Sequence, residues 1–244
     1  MTDVALASPP DTDATETGRF IWSKGLKFPN DPKVIDKKRR RMLRQGTYEQ
    51  KEFDTAMKLV QPGDTVVEVG AGMGYMSAAM AKKKMVKHVY AYEANPELVP
   101  YIHNVYAANE VENATVTNAV LGPRARKSVN FYVRRDFVES SLSPRLTAQS
   151  EGDVTHIEKI PVLNINTLFK KIKPTILVCD IEGAEVDLLP VTDMSELKAV
   201  VVELHPQFVG QAGIQKVFDA MAKAGLTYFP RASNGKVVLF KRDW

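Results

Sequence analysis

One cysteine, Cys179, stands in the 244-residue chain, so an internal disulfide is excluded. Its setting in Ile176–Leu177–Val178–Cys179 is that of a small core residue rather than a nucleophile. Long apolar runs are missing too. Nothing approaches the roughly 18 consecutive apolar residues needed to span a bilayer, and short runs such as Ala199–Val202 read as buried strands. The first twenty residues, rich in Ala, Thr, Ser, Pro and Asp, lack the basic start and apolar stretch of a secretory signal. A soluble, cytoplasmic protein with no membrane partner is expected. Tightly spaced metal ligands are also absent, so no metal is assigned.

What is present is ordinary globular composition, 44% apolar and 25% charged, enough to bury a core. The pI of about 9.0 raises a nucleic-acid partner, but the net charge of +4 is modest. Many cations are local, in Lys37–Lys38–Arg39–Arg40–Arg41 and Lys82–Lys83–Lys84. These read as solvated helix faces, with attraction of an anionic substrate or partner as the competing reading. Nothing fixes the oligomeric state; a homodimer is compatible.

Residues 1–20 read as a disordered tail and 21–60 as an N-terminal helical extension, with Phe53, Met57 and Val60 spaced as on an amphipathic helix. Residues 61–244 read as one α/β domain. Strand and helix patterns alternate through Thr65–Val69, Met76–Lys84, His88–Tyr92, Pro96–Asn109 and Ala114–Val120, and again from Thr175 to Ala224, which predicts a parallel sheet covered by helices. Asn234–Gly235 between two strand-like runs predicts a terminal antiparallel pair. Between the halves, Asn130–Val133 reads as a strand and Asp136–Asp153 as a long polar loop, a candidate lid holding Ser140 and Ser141.

The chemistry is concentrated in Val66–Val67–Glu68–Val69–Gly70–Ala71–Gly72–Met73–Gly74, a buried strand running into a glycine turn before a helix. Such a turn lets a ligand touch backbone. Glu68 lies two residues before the first glycine, where it would repel a pyrophosphate and favour the cationic ammonium and sulfonium of S-adenosylmethionine. Glu93, about twenty residues on, is placed to accept ribose hydroxyls. Glu68, Gly70, Ala71, Gly72, Glu93 and Ala94 are therefore the expected cofactor contacts. Asp180, Glu182, Glu203 and His205 fall at strand ends and should converge. Of these Asp180, Glu182 and His205 are the candidates for catalysis, His205 as general base and Asp180 also beside the cofactor.

These motifs, with Tyr48–Glu49, Ser140–Ser141–Leu142, Asp180–Ile181–Glu182–Gly183–Ala184–Glu185 and Glu203–Leu204–His205–Pro206, resemble the FkbM family of class I methyltransferases. The resemblance implies a Rossmann-like fold with a mainly parallel seven-stranded sheet, helices on both faces and a closing antiparallel hairpin. It implies Asn118 and Ala119 beside the adenine. The reaction implied is transfer from S-adenosylmethionine, leaving S-adenosylhomocysteine, to a hydroxyl of a small molecule, sugar or other glycan. A nucleic-acid methyltransferase guided by Lys37–Arg44 is the second reading. A non-catalytic cofactor-binding module and a nicotinamide enzyme follow.

Overall fold

The computed structural model describes residues 18–144 and 154–244. The expected disordered tail falls outside them up to residue 17, and so does the second half of the expected lid, 145–153. Where a helical extension was expected over 21–60, the chain first forms a hairpin. β1 (Phe20–Ser23) and β2 (Leu26–Pro29) pair antiparallel about Lys24 and Gly25, both at positive φ, as a tight two-residue turn requires. The aromatic alternation here has a strand period: Ile21, Leu26 and Phe28 are buried, and Phe28 stacks on Tyr75 with centroids 5.2 Å apart. Then come α1 (Lys37–Gln45) and α2 (Gln50–Leu59). Asp36 caps α1 by accepting the Arg39 N–H at 2.6 Å, and Gly46 ends it in the left-handed conformation.

Strands and helices next alternate as β3 (Thr65–Val69), α3 (Tyr75–Lys84), β4 (His88–Glu93), α4 (Leu98–Ala108) and β5 (Ala114–Asn118). The chain leaves the main sheet at Ala119, whose N–H is taken by the Glu93 carbonyl at 3.2 Å. It builds a second, three-stranded sheet from β6 (Val120–Gly122), β7 (Arg126–Arg134) and β8 (Val154–Asn164), with β8 in the middle. The return runs through α5 (Ile165–Ile172), β9 (Ile176–Cys179), α6 (Glu185–Leu188), β10 (Ala199–Glu203), α7 (Pro206–Lys223), β11 (Thr227–Tyr228) and β12 (Val237–Lys241).

The main sheet has seven strands in the order β11, β12, β10, β9, β3, β4, β5. Six strands run in one direction and β12 alone is reversed, antiparallel to both β10 and β11, which gives the expected closing hairpin. This is a Rossmann-like architecture, a mainly parallel sheet with helices on both faces. Because both faces are covered, β3 is buried at every position, with Val66 packing toward α2, α3 and α4 and Val67 toward α5, α6 and α7. No helix among the described residues is long and apolar enough to cross a membrane.

Candidate active site

Parallel strands bring their carboxyl ends to one edge of the sheet, where ligands of open α/β folds sit. A cavity of about 710 Å³ opens at that edge, between the main sheet and the three-stranded one. One side of it is the glycine turn after β3. Gly70 and Gly72 have φ of +86° and +54°, and the N–H groups of Gly70 and Ala71 both reach the Tyr92 carbonyl, at 2.9 and 3.2 Å. The two glycines are needed for different reasons. A Cβ at residue 70 would lie 1.7 Å from the Asp180 carbonyl oxygen, whereas one at residue 72 would meet nothing within 4 Å. The space over Gly72 is open.

Glu93 stands at the end of β4 and lines the cavity. Its Oε2 accepts the Gly72 N–H and its Oε1 the Asn95 N–H, each at 2.7 Å. Burial pushes its carboxyl up to about 7, against those backbone hydrogen bonds. Each oxygen keeps a second acceptor site for a ribose hydroxyl. Ala94 and Ala119 also line the cavity. Asn118 does not; its amide donates to the carbonyls of Glu93 and Ala94 at 2.9 and 3.0 Å, fixing the backbone that presents them. Ala71 holds the turn through its N–H and is likewise not a wall residue.

Glu68 is placed differently from the sequence reading. It is 2% exposed and shares the Val66 face of β3, under α3, where its carboxyl senses Ser77 and raises the pKa of Tyr106. Burial drives it well above the usual carboxylate range. Because it faces the core and does not line the cavity, Glu68 is not placed to select a cation over a pyrophosphate as the sequence suggested. The carboxylates that do reach the cavity are Glu49, Glu93, Asp180 and Glu182, with the exposed Asp187 at its rim.

Asp180 follows β9, with its N–H on the Val69 carbonyl at 2.9 Å. Its Oδ1 is buried and has no hydrogen-bond partner. Burial, then the charges of Glu203, Glu182, Glu49 and Glu52, hold it well above its ordinary pKa. Glu182 has φ of +50°, a conformation that costs a side-chain-bearing residue on the order of 1 kcal/mol or more and is concentrated at functional sites. Burial lifts Glu182 to about 6, while His205 pulls it down.

His205 converges on these groups as expected, yet stands behind them. It is 2% exposed and is not a wall residue. Its Nδ1 lies 3.3 Å from Oε1 of the fully buried Glu185, and its Nε2 lies 3.4 Å from Glu182 and 3.6 Å from Asp180. Burial disfavours the charged ring, but the Glu185 contact and the charges of Glu182, Glu185 and Glu203 outweigh it and raise the pKa. Asp180, Glu203 and His205 bring one ligand-type atom each within 4.8 Å of one another.

The other half of the cavity was read from the sequence only in part, through Tyr48–Glu49 and Ser140–Ser141, without Phe137, Arg124 or Arg126. Tyr48 and Glu49 enter it just before α2, Glu49 at φ of +43° and lifted to about 8, chiefly by burial. Ser140 and Ser141 belong to it as suspected, but they also serve Arg134: Ser140 Oγ accepts the Arg134 N–H at 3.0 Å and Ser141 Oγ its guanidinium at 3.1 Å. Beside them Phe137 forms part of the wall, and Arg39 of α1 lies over its ring at 4.2 Å while pairing with Asp36 and Asp136. Arg124 and Arg126, on the turn from β6 into β7, complete the mouth.

Residues 39–126 match the family model of the TRM5/TYW2 methyltransferase domain, which is less than half of the chain. Among solved structures, Trm5b from Pyrococcus abyssi is 15% identical with a TM-score of 0.49, covering 90% of this chain and 54% of that one. The chain thus spans about half the length of that protein. TYW2 of M. jannaschii in complex with AdoMet is 15% identical with a TM-score of 0.46, covering 90% and 84%. A methyltransferase from Pyrococcus furiosus is 15% identical with a TM-score of 0.46, covering 90% of each. No curated protein matches the sequence. The family match overturns the resemblance to FkbM. A glycine turn and a ribose acid serve the cofactor whatever the acceptor, so those motifs do not separate methyltransferase families. With that resemblance falls the small-molecule or glycan acceptor, which it alone supported. The chain carries an S-adenosylmethionine-dependent methyltransferase domain.

Proposed function

We propose that this S-adenosylmethionine-dependent methyltransferase domain acts on RNA, transfer RNA foremost, in a cytoplasmic setting. The observation that carries the reading is the matched segment itself. It begins in the basic helix α1, passes through the glycine turn and Glu93, and ends at Arg126 on the cavity mouth. Lys37, Lys38, Arg41 and Arg44 are exposed on α1, and the same helix reaches the cavity wall through Arg39 and Phe137. Helical charge that was read as solvated then has a polyanion to face.

When bound, S-adenosylmethionine supplies a methyl group on a positively charged sulfur that leaves as a neutral thioether. The chain's own part is positioning, worth up to roughly 7 to 11 kcal/mol when two reactants are held in line. Gly70 and Gly72 admit the donor, and Glu93 accepts its ribose hydroxyls. Asp180 and Glu182 face the acceptor end and take the proton it loses, acting as a pair because their charges are coupled. His205 is a positioning residue in this scheme: anchored by Glu185, it sets how readily Glu182 ionises. A cationic donor answers the carboxylate cluster, so no metal is assigned to Asp180, Glu203 and His205.

The test is transfer of labelled methyl from S-adenosylmethionine to unmodified transfer RNA, bulk RNA, simple sugars and phenols. Label that enters RNA and is released as methylated nucleotides on ribonuclease digestion is the expected result. Label only in small hydroxyl compounds would refute the reading, and donor binding with no transfer to RNA would leave a binding module.

A further inference from the structure

The cavity is divided by charge. Its floor holds Glu49, Glu93, Asp180 and Glu182, while its exposed mouth holds Arg124 and Arg126, together with Asp187, whose carboxylate is paired with Lys216 at 3.1 Å. Both arginines are exposed, and neither side chain makes a hydrogen bond or ion pair with a described residue. The other two arginines near the cavity are engaged. Arg39 pairs with Asp36 and Asp136, and Arg134 binds the carbonyls of Glu139, Ser143 and Pro144 and the Ser141 hydroxyl. None of the four floor carboxylates comes within ion-pair distance of Arg124 or Arg126. Two guanidiniums therefore stand free at the entrance to an acidic chamber.

We infer that Arg124 and Arg126 grip the phosphates that flank the target nucleotide of an RNA acceptor, while the acidic floor admits only its uncharged base or ribose. The inference rests on the RNA reading above. Guanidiniums bind phosphate oxygens with paired N–H donors, and an unpaired pair gives up no existing bond to do so. A phosphate carried to the floor would face four carboxylates, so the backbone of the acceptor stays at the mouth and a single nucleotide enters. The turn that carries the arginines is stiffened by Pro123, whose carbonyl accepts the Asn164 side-chain amide at 2.6 Å, tying the mouth to the start of α5. Arg126 is also the first residue of β7, in register with Val162 of β8.

The test compares wild type with Arg124→Ala/Arg126→Ala and with the double Lys variant. RNA affinity is measured across a salt series, S-adenosylmethionine affinity by calorimetry, and methyl transfer as kcat and KM. In the Ala variant, RNA binding weakens at least tenfold at low salt and the log–log salt slope shrinks by about 0.7 to 0.9 per lost phosphate contact. The kinetic loss falls on KM for RNA, donor affinity holds, and the Lys variant recovers part of the binding. An unchanged salt slope with RNA still bound overturns the inference and leaves the RNA reading standing. Weakened donor binding overturns it differently, by showing that the arginines hold the carboxylate of S-adenosylmethionine. Failure of the wild type to bind RNA at all removes both, as does a free nucleoside monophosphate that competes at the affinity of RNA.

Discussion

The carboxylate of Glu93 accepts the backbone N–H of Gly72 at 2.7 Å, so the acid that ends β4 and the glycine turn that follows β3 form one rigid unit. Substitution by Ala removes the ribose acceptor and leaves the Gly72 and Asn95 N–H groups without their partner. Hydrogen bonds to a charged group are worth about 1.5 to 3 kcal/mol each. Glu93→Ala is expected to weaken S-adenosylmethionine binding by about 10- to 100-fold in calorimetry. Retained affinity in a variant that still melts cooperatively would take Glu93 out of the cofactor site.

The two glycines of the turn separate folding from binding. Gly70→Ala drives a methyl into the Asp180 carbonyl, and the backbone must move, so a drop in thermal stability is expected, on the scale of the larger core defects, about 3 kcal/mol or more. Gly72→Ala meets no atom within 4 Å and costs about 1 kcal/mol for its positive φ. It should fold and yet bind the cofactor poorly, because its methyl occupies the cradle. Equal effects of the two changes, in melting and in binding, would contradict this division.

Stability should depend on pH through the same acid. The folded pKa of Glu93 is raised from 4.5 to about 7, so the folded chain holds this proton more tightly than the unfolded chain does. The stabilisation is full below about 4.5 and is lost as pH rises toward 7, on the order of 3 kcal/mol. Glu49, raised from 4.5 to about 8, extends the decline. Denaturant unfolding of the cofactor-free protein should show stability falling between these limits, and Glu93→Gln should flatten the curve below pH 7. A curve that rises with pH in both proteins would rule out the buried acids as its cause.

His205 holds Glu182 down, and Glu182 otherwise rises with burial. Removing the imidazole in His205→Ala should shift the acidic limb of kcat/KM, near pH 6 in the wild type, to higher pH, while donor affinity changes little. A limb that stays in place would show that Glu182 is not the group that accepts the proton.

The parts of the site that were legible in the sequence are local or follow from topology. A buried strand running into glycines is read within nine residues, and Asp180, Glu182, Glu203 and His205 converge because parallel strands end at one edge. Glu68 was misplaced because β3 is apolar on both faces, so its pattern does not tell which side faces the ligand. Arg124 and Arg126 gave no signal, since the sheet that presents them pairs β7 with β8 across the long polar loop, a contact no local period encodes. The hairpin at Phe20–Pro29 was read as part of a helical extension, although Lys24–Gly25 supplies its turn. The acceptor was misread for a further reason: in the proposed reading its determinants lie at the mouth, whereas the motifs that suggested a family lie mostly on the donor side and along the floor.

Arg39 reaches from α1 to Asp136 and covers Phe137, which makes the N-terminal helix a buttress of the acceptor wall rather than an ornament on the cofactor domain. A shortened protein beginning at Tyr48 would lose the brace behind Phe137 and, with it, the buried Leu26, Phe28, Ile35 and Leu43 that pack in the same core as Tyr75. The same segment therefore supports both sides of the cavity, the wall at Phe137 through Arg39 and the helix after the glycine turn through Phe28.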